Sequence, residues 1–102
     1  MATADLTTPP ADTAAVTSVA ASAVNVQLLA IDLNRLGGVI VNDSNSRLYV
    51  KYGAVASTID YTVRLEAHET HEIVAMYTGL IEGIWAPLIQ VGGAALITEL
   101  TP

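Results

Sequence analysis

The densest group of ligand-type side chains is the run His68-Glu69-Thr70-His71-Glu72. Two histidines three residues apart, with a carboxylate as third ligand, are residue types that bind zinc. The helical motif of zinc metalloproteases, however, spaces its histidines four apart so that both lie on one helix face. This run is polar throughout and predicts a solvated turn. We therefore expect a turn and no metal site here. A third interpretation is that the two histidines make the protein weakly sensitive to pH.

A second group of oxygen-bearing side chains, Asn-Asp-Ser-Asn-Ser, occupies residues 42–46. Such oxygens attract calcium, but the segment lacks the glycine and the terminal glutamate of an EF-hand loop. Asn, Asp and Ser side chains also bond to their own backbone in turns. The segment therefore predicts a turn rather than a calcium site.

Patterns typical of catalysis are absent from the sequence. Ser, His and Asp all occur, but there is no Gly-x-Ser-x-Gly nucleophile elbow. The carboxylates are scattered, so pairing two of them as a glycosidase dyad would be arbitrary. Neither Gly37-Gly38 nor Gly92-Gly93 is followed by the helix that a phosphate-binding loop requires. We expect a non-enzymatic protein with no catalytic residue, no cofactor and no metal.

The aromatic residues have two interpretations. Trp85 with Tyr49, Tyr52, Tyr61 and Tyr77 would make a sugar-stacking platform if their rings were exposed together. In a small β domain, aromatic side chains more often anchor the core or an interface. We expect the second arrangement.

Length and composition predict one domain that associates with other chains. The chain has 102 residues, of which 52% are hydrophobic, and its mean hydropathy is +0.49. A small domain has much surface per residue, so some apolar side chains must lie outside its own core. No uncharged stretch is long and apolar enough for a membrane span, which leaves a homo-oligomer as the interpretation.

Charge argues against nucleic acid and anionic membranes as partners. The formal net charge is −6, and the only basic residues are Arg35, Arg47, Lys51 and Arg64. Binding to phosphates requires clustered Lys and Arg. The chain has no cysteine, which excludes disulfides and thiolate metal sites.

Short hydrophobic runs separated by turn residues recur about every ten residues and are typical of an all-β sandwich or barrel. Several runs alternate in parity, so that Ile81, Gly83 and Trp85 share one face. The continuous apolar run Val39-Ile40-Val41 predicts a strand buried on both faces, and Gly37-Gly38 before it predicts a turn. We predict a single antiparallel β-sandwich or jelly-roll-like domain of seven to eight short strands over residues 24–102. The predicted strands are residues 24–31, 39–42, 48–52, 61–65, 71–76, 80–86 and 94–100.

Residues 1–23 are predicted to form an extended N-terminal arm. Residues 1–15 are rich in Ala, Thr, Asp and Pro, and Pro9-Pro10 disfavours helix and sheet alike. The segment is either a disordered tail or an arm that docks on a neighbouring subunit. Residues 16–23 predict a weak strand or the end of the arm.

A series of short motifs follows one another between residues 25 and 99. They are Leu28-Leu29-Ala30, Asn34-Arg35 followed by a glycine, Val41-Asn42-Asp43-Ser44, Leu48-Tyr49-Val50-Lys51-Tyr52-Gly53, Ala56-Ser57, Tyr61-Thr62-Val63-Arg64-Leu65, Tyr77-Thr78-Gly79, Gly83-Ile84-Trp85-Ala86, Ala94-Ala95 and Thr98-Glu99. In this order and spacing, the segment resembles a group of small tailed-bacteriophage virion proteins.

The resemblance implies a structural subunit of the virion, assembled in the host cytoplasm. We expect a capsid decoration (cement) protein, commonly a trimer, bound to the major capsid protein and to further copies of itself. The acidic charge suits a surface facing water rather than packaged DNA. A tail, neck or fibre-attachment subunit is one alternative, and a carbohydrate-binding module, which needs an exposed Trp85, is another. The expected interface residues are Pro9, Pro10, Val16, Val19, Trp85 and Ile89.

Overall fold

The structure, a computed structural model, describes residues 10–89 and 92–102. Within them the chain forms eight strands and no helix. The strands are β1 (Thr13–Ala20), β2 (Val26–Leu29), β3 (Gly37–Asp43), β4 (Leu48–Tyr52), β5 (Val63–Leu65), β6 (Thr70–Ile73), β7 (Ile81–Trp85) and β8 (Ala94–Thr101).

The strands make two four-stranded sheets. Sheet A has the order β1-β8-β3-β6 and sheet B the order β2-β7-β4-β5. Every strand pair within the sheets is antiparallel. The buried residues of both sheets form one core, as in a β-sandwich. The predicted all-β fold of seven to eight strands is confirmed.

Alternation along the strands builds this core as predicted. In β7, Ile81, Gly83 and Trp85 are buried, whereas the residues between them are half-buried. Ile81 and Trp85 belong to the same core cluster as Ile40 and Ile97 of sheet A, both of which are fully buried. The period of two in the sequence therefore identifies the face of each strand that packs inward.

Gly37-Gly38 does not form the turn that the sequence predicts, because both residues belong to β3. A Cβ atom built on Gly38 would lie 2.3 Å from the carbonyl oxygen of Thr98. Glycine is required at position 38 by the close approach of β8, not by a positive φ angle. Gly92 and Gly93 do have positive φ angles, 95° and 82°, immediately before β8.

Some predicted boundaries differ from the structure. The predicted strand over residues 61–65 is shortened to Val63–Leu65, and that over residues 71–76 becomes Thr70–Ile73. Residues 39–41 were expected to be buried on both faces, but only Ile40 is fully buried. Val39 and Val41 are half-buried on the outside of sheet A, since no second layer covers that side among the described residues.

Part of the predicted N-terminal arm is a strand of the sandwich. Residues 13–20 pair with β8 along their whole length, from Thr13 opposite Thr101 to Ala20 opposite Ala94. Residues 1–9, including Pro9, lie outside the described residues, so the extended arm stays a prediction there. The chain therefore enters sheet A at its edge.

Buried Arg35 joins loops to sheet A. Its Nε atom donates to Glu99 Oε2 at 2.8 Å in an ion pair, and the Arg35 side chain is fully buried. Its two terminal nitrogens donate to the carbonyl oxygens of Tyr77, Gly79 and Ala30. One guanidinium group thus holds the segment after β2 and the segment before β7 against Glu99 of β8.

Residues 44–46 of the polar segment 42–46 form the turn that the sequence predicts, whereas Asn42 and Asp43 still belong to β3. Ser44 Oγ lies 2.8 Å from Asn42 Oδ1 and 3.0 Å from the carbonyl oxygen of Ser46, and these two acceptors share its single proton. All three of these side chains are buried. Their oxygens therefore bind one another and the backbone.

Candidate interaction surface

The outer edge of β1 is the clearest candidate for a functional surface. The hydrogen bond from Ala21 N–H to Gly93 O continues the register of the β1–β8 pair. Because antiparallel ladders alternate, Val19, Thr17, Ala15 and Thr13 direct their backbone groups at β8. The residues between them, at positions 14, 16, 18 and 20, direct N–H and C=O away from β8. No described strand pairs with that side.

The β1 edge lacks the features that usually block strand addition. Its sequence, TAAVTSVA, has no charged residue and no proline, and its ladder with β8 runs without a register shift. Charges, prolines, bulges and short length are how proteins protect edge strands. At eight residues, β1 is also twice as long as any other edge strand in the two sheets.

The other three edges each have at least one such feature. The edge strand β6 contains Glu72 and has four residues, and β5 contains Arg64 and has three. The fourth edge, β2, also has four residues, and its register shifts between Gln27 and Leu29. Among the described strands, β1 therefore stands apart as a long, open template for another strand.

The outer face of sheet A continues this uncharged surface. We use that name for the side chains of β1, β8 and β3 that point away from sheet B. They are Ala14, Val16, Ser18, Ala20, Ala94, Leu96, Thr98, Leu100, Gly37, Val39, Val41 and Asp43. Asp43, at the end of β3, is the one charged member of this set. On β6, at the far edge of sheet A, Glu72 points to the same side opposite Val39 and gives that end of the sheet a charge. Val16 is 68% exposed and Leu96 is 38% exposed.

The outside of sheet B is different. It presents Lys51, Arg64 and Glu82, and Lys51 forms an ion pair with Asp60 at 2.6 Å. The loop after β4 also covers part of it, because Ala56 N–H donates to Asn25 Oδ1 and Ala56 is buried. Because of these charges and the loop that covers it, the outside of sheet B is less suited to association than the outer face of sheet A.

All four basic side chains form ion pairs with carboxylates of the same chain. Arg47 pairs with Glu66 and Arg64 with the same carboxylate, while Arg35 and Lys51 pair with Glu99 and Asp60. The positive charge of the chain is therefore compensated internally.

The structure distributes the expected interface residues over several places. Val16 lies exposed on the outer face of sheet A, whereas Val19 points inward and packs partly against the core. Pro10 is exposed just before β1, and Ile89 is 69% exposed in the loop after β7. The structure therefore brings Val16 and Val19 onto one strand and leaves Ile89 on a separate loop.

Trp85 must be removed from the expected interface residues. Its side chain has no exposed surface, because it faces the core between the two sheets. It therefore offers no surface to a partner, and it cannot stack on a sugar. Tyr49 is also buried, and its ring packs edge-on against that of Tyr61 with centroids 4.9 Å apart. The sequence alone does not show that Trp85 is buried, because it does not reveal which face of this strand the other sheet covers.

The two histidines of the polar run point to different partners. His71 Nε2 lies 2.7 Å from the Tyr52 hydroxyl, across the gap between β6 and β4. His68 Nε2 instead lies 3.3 Å from Asn45 Oδ1 in the exposed turn before β6. No group of three potential ligands converges among the described residues. The histidines thus serve separate contacts.

Burial lowers the pKa of His71 below its ordinary value, and the neighbouring Glu72 carboxylate partly opposes this. Burial also raises the pKa of Tyr52. Val74 N–H donates to the Tyr52 hydroxyl at 3.1 Å, which leaves the hydroxyl proton to be donated to His71 Nε2. This arrangement requires neutral His71.

Sequence reasoning missed most of the outer face of sheet A. Leu96, Val39 and Val41 were assigned to strands, but nothing in the sequence placed them beside Val16. The available signal was the absence of charge from β1, from most of β3 and from the outward positions of β8.

Comparison with known proteins gave no match: no protein-family model, no curated protein and no solved structure matches this chain. In the described part of the chain there is no helix of the length and apolar character that a membrane span requires.

Proposed function

We propose that this chain is a non-enzymatic structural protein of a bacteriophage particle, namely a capsid decoration (cement) protein that binds the outside of the head and stabilises it. The observation on which an assembly role rests is the uncharged β1 edge and the adjoining outer face of sheet A. In a chain with a net charge of −6, an eight-residue edge strand without charge, beside a face whose one charged side chain is Asp43 at its end, favours contact with another protein. The phage assignment itself is supported by the resemblance over residues 25–99.

The partners that fit this role are the major capsid protein and further copies of the chain in a symmetric oligomer. An open strand edge provides affinity through backbone hydrogen bonds, and the adjoining outer face of sheet A, with Val16 and Leu96 exposed, adds contact area. Nucleic acid and anionic membranes do not fit, because the four basic side chains are already paired with carboxylates. The protein would be located in the virion after assembly in the host cytoplasm.

The proposal is tested by adding the purified chain to phage heads that lack it and measuring the copies bound per particle. Binding of hundreds of copies, with heads more resistant to heat, is the expected result. A few copies per particle, in a ring at one vertex, would instead identify a tail, neck or fibre-attachment subunit. Absence of binding to heads and to complete particles would contradict any virion role.

A matched pair of variants locates the binding surface. Leu96→Lys puts a charge on the outer face of sheet A, whereas Ile59→Lys puts the same charge on a loop residue that is 93% exposed. We expect Leu96→Lys to bind heads more weakly and Ile59→Lys to bind like the unmodified protein. Equal binding by both variants would exclude the outer face of sheet A as the contact with the head.

A further inference from the structure

We propose that two copies of this chain associate through their β1 strands, antiparallel about a two-fold axis, so that the two A sheets form one eight-stranded sheet. This inference rests on the part of the proposed function in which copies of the chain assemble with one another. It does not depend on attachment to a capsid.

The burial of β1 is the first argument. Of its eight residues, only Val19 is even partly buried. Ordering a residue costs about 1–2 kcal/mol of backbone entropy, while a backbone hydrogen bond returns about 0.5–1.5 kcal/mol net. A strand that packs few side chains and is bonded on one side is therefore marginal. A second strand on its open side supplies the missing hydrogen bonds and covers the exposed side chains.

The direction of the free backbone groups is the second argument. Positions 14, 16, 18 and 20 point N–H and C=O outward, which is the alternation that an antiparallel partner requires. A two-fold axis perpendicular to the sheet keeps the core-facing sides of both copies together, and it must pass beside one residue of β1. A two-fold axis beside Val16 or beside Thr17 brings the outward backbone groups of the two strands opposite each other and keeps both core-facing sides on one side of the sheet. Either position pairs β1 with its copy over most of its length.

Side chains at the axis fit this arrangement. With Val16 at the centre, the two Val16 side chains are neighbours on the outer face, and Ala14 lies opposite Ser18 of the second copy. Small and β-branched residues pair well across antiparallel strands. The row Val39, Thr98, Val16 of one copy then continues into the same row of the other.

Charge is the third argument, and it favours a second copy in this orientation. Each copy carries a net charge of −6, so two copies repel unless they meet where charge is absent. The β1 strand has none, and Glu99, opposite Ala15, is paired with buried Arg35. Asp12 precedes β1, and antiparallel pairing places the two Asp12 carboxylates at opposite ends of the new strand pair. Parallel pairing would place them side by side.

The decisive measurement is the molar mass in solution, by light scattering or sedimentation, over a range of concentrations. The unmodified chain is expected to approach two copies of 10.6 kDa. Ser18→Pro removes only an outward N–H, so it should give monomer while keeping the folded circular dichroism spectrum. Val16→Lys should also give monomer, because two ammonium groups would meet at the axis. Ile59→Lys is the matched control and should remain a dimer.

Three results would overturn the inference: a monomer at high concentration, a trimer, or a dimer unaffected by both β1 variants. Thr17→Pro is the control that separates loss of folding from loss of the interface, because the N–H of Thr17 points at β8 within the same chain. This variant should lower the thermal midpoint of unfolding, whereas Ser18→Pro should leave it near that of a dilute unmodified sample.

Disulfide crosslinking of single cysteine variants determines the register between the two β1 strands, because the natural chain has no other cysteine. Val16→Cys should form a disulfide-linked dimer on mild oxidation, since paired Cα atoms at a two-fold axis lie about 5.5 Å apart. Thr17→Cys should do so instead if the axis passes beside Thr17. Ile59→Cys should stay monomeric on a denaturing gel, and crosslinking equal to that of Ile59→Cys at both β1 positions would contradict the pairing.

Failure of the dimer and failure of capsid binding are separable. If Val16→Lys is monomeric yet still decorates phage heads, the β1 pairing stands and decoration does not need it. If the unmodified protein dimerises through β1 but binds no particle, the dimer stands and the decoration role is wrong.

Discussion

The indole N–H of Trp85 donates a hydrogen bond to Asn42 Oδ1 at 3.1 Å and so joins sheet B to sheet A through two fully buried side chains. Asn42 Nδ2 donates to the carbonyl oxygens of Ser46, Leu65 and Glu66 at 2.8, 3.1 and 3.0 Å. One amide therefore satisfies groups from β7, from the turn after β3 and from the end of β5. Such a network stabilises only while every member keeps its partner.

Replacing Asn42 with aspartate should destabilise the protein strongly. The carboxylate keeps the acceptor for Trp85 but loses the donor for three carbonyl oxygens, and it introduces a charge where the side chain has no exposure. We expect Asn42→Asp to lower the free energy of unfolding by about 2–5 kcal/mol. Asn34→Asp, in an exposed loop, should change it by less than about 0.5 kcal/mol. Urea unfolding of both variants checks this, and equal losses would contradict the role of Asn42.

The two adjacent glycines of β3 should respond oppositely to alanine. A Cβ on Gly38 would meet Thr98 O at 2.3 Å and Ile73 Cδ1 at 3.0 Å, so Gly38→Ala should force β3 and β8 apart. We expect a loss of about 1–3 kcal/mol. A Cβ on Gly37 meets nothing within 4 Å, and Gly37→Ala should be neutral or stabilise by up to about 1 kcal/mol. Thermal unfolding of the pair would refute the close-approach explanation if Gly38→Ala were as stable as Gly37→Ala.

Removing the buried guanidinium should cost far more than removing an exposed one. Arg35→Met would leave Glu99 and three backbone carbonyls without their donor, and the loss should be about 3–5 kcal/mol. Arg64 is about half exposed, and its pair with Glu66 is 3.4 Å long, so Arg64→Met should change the free energy of unfolding by at most about 1 kcal/mol. Denaturant midpoints of the two variants measure the difference. A loss in Arg35→Met no larger than that in Arg64→Met would show that the loops do not depend on Arg35.

Acidification should weaken the contact between β6 and β4. Burial lowers the pKa of His71 below 6.5, its ordinary value, so around that pH the unfolded chain binds more protons than the folded one. The stability that neutral His71 contributes is present above its unfolded pKa and is lost as the pH falls through the lower, folded pKa. His71→Gln should therefore lose less stability than the unmodified protein between about pH 8 and about pH 5.

A proton NMR titration tests the same point directly, with the His71 signals assigned by their absence from His71→Gln. The midpoint for His71 should lie below 6.5. A midpoint at or above that value would contradict the hydrogen bond in which neutral His71 accepts from Tyr52.

Much of the fold is readable from local patterns, because side-chain alternation and turn residues act over a few positions. The inward parity of Ile81, Gly83 and Trp85 and the turn at residues 44–46 follow from such patterns. The Gly37-Gly38 pair was misassigned, since the reason for glycine at 38 is Thr98, sixty residues away in sequence. Strand ends at residues 61–65 and 71–76 depend on partners across the sheet and were less well predicted.

The sequence by itself determined that this is an all-β chain of short alternating strands, acidic, and without a catalytic motif, because composition and periodicity are local properties. Only the tertiary structure decided which surface is open. Long-range pairing placed β1 at an edge beside β8, aligned Val16 with Thr98 and Val39, and enclosed Trp85 in the core. Exposure depends on what packs against a residue, and that is set by contacts between segments distant in sequence.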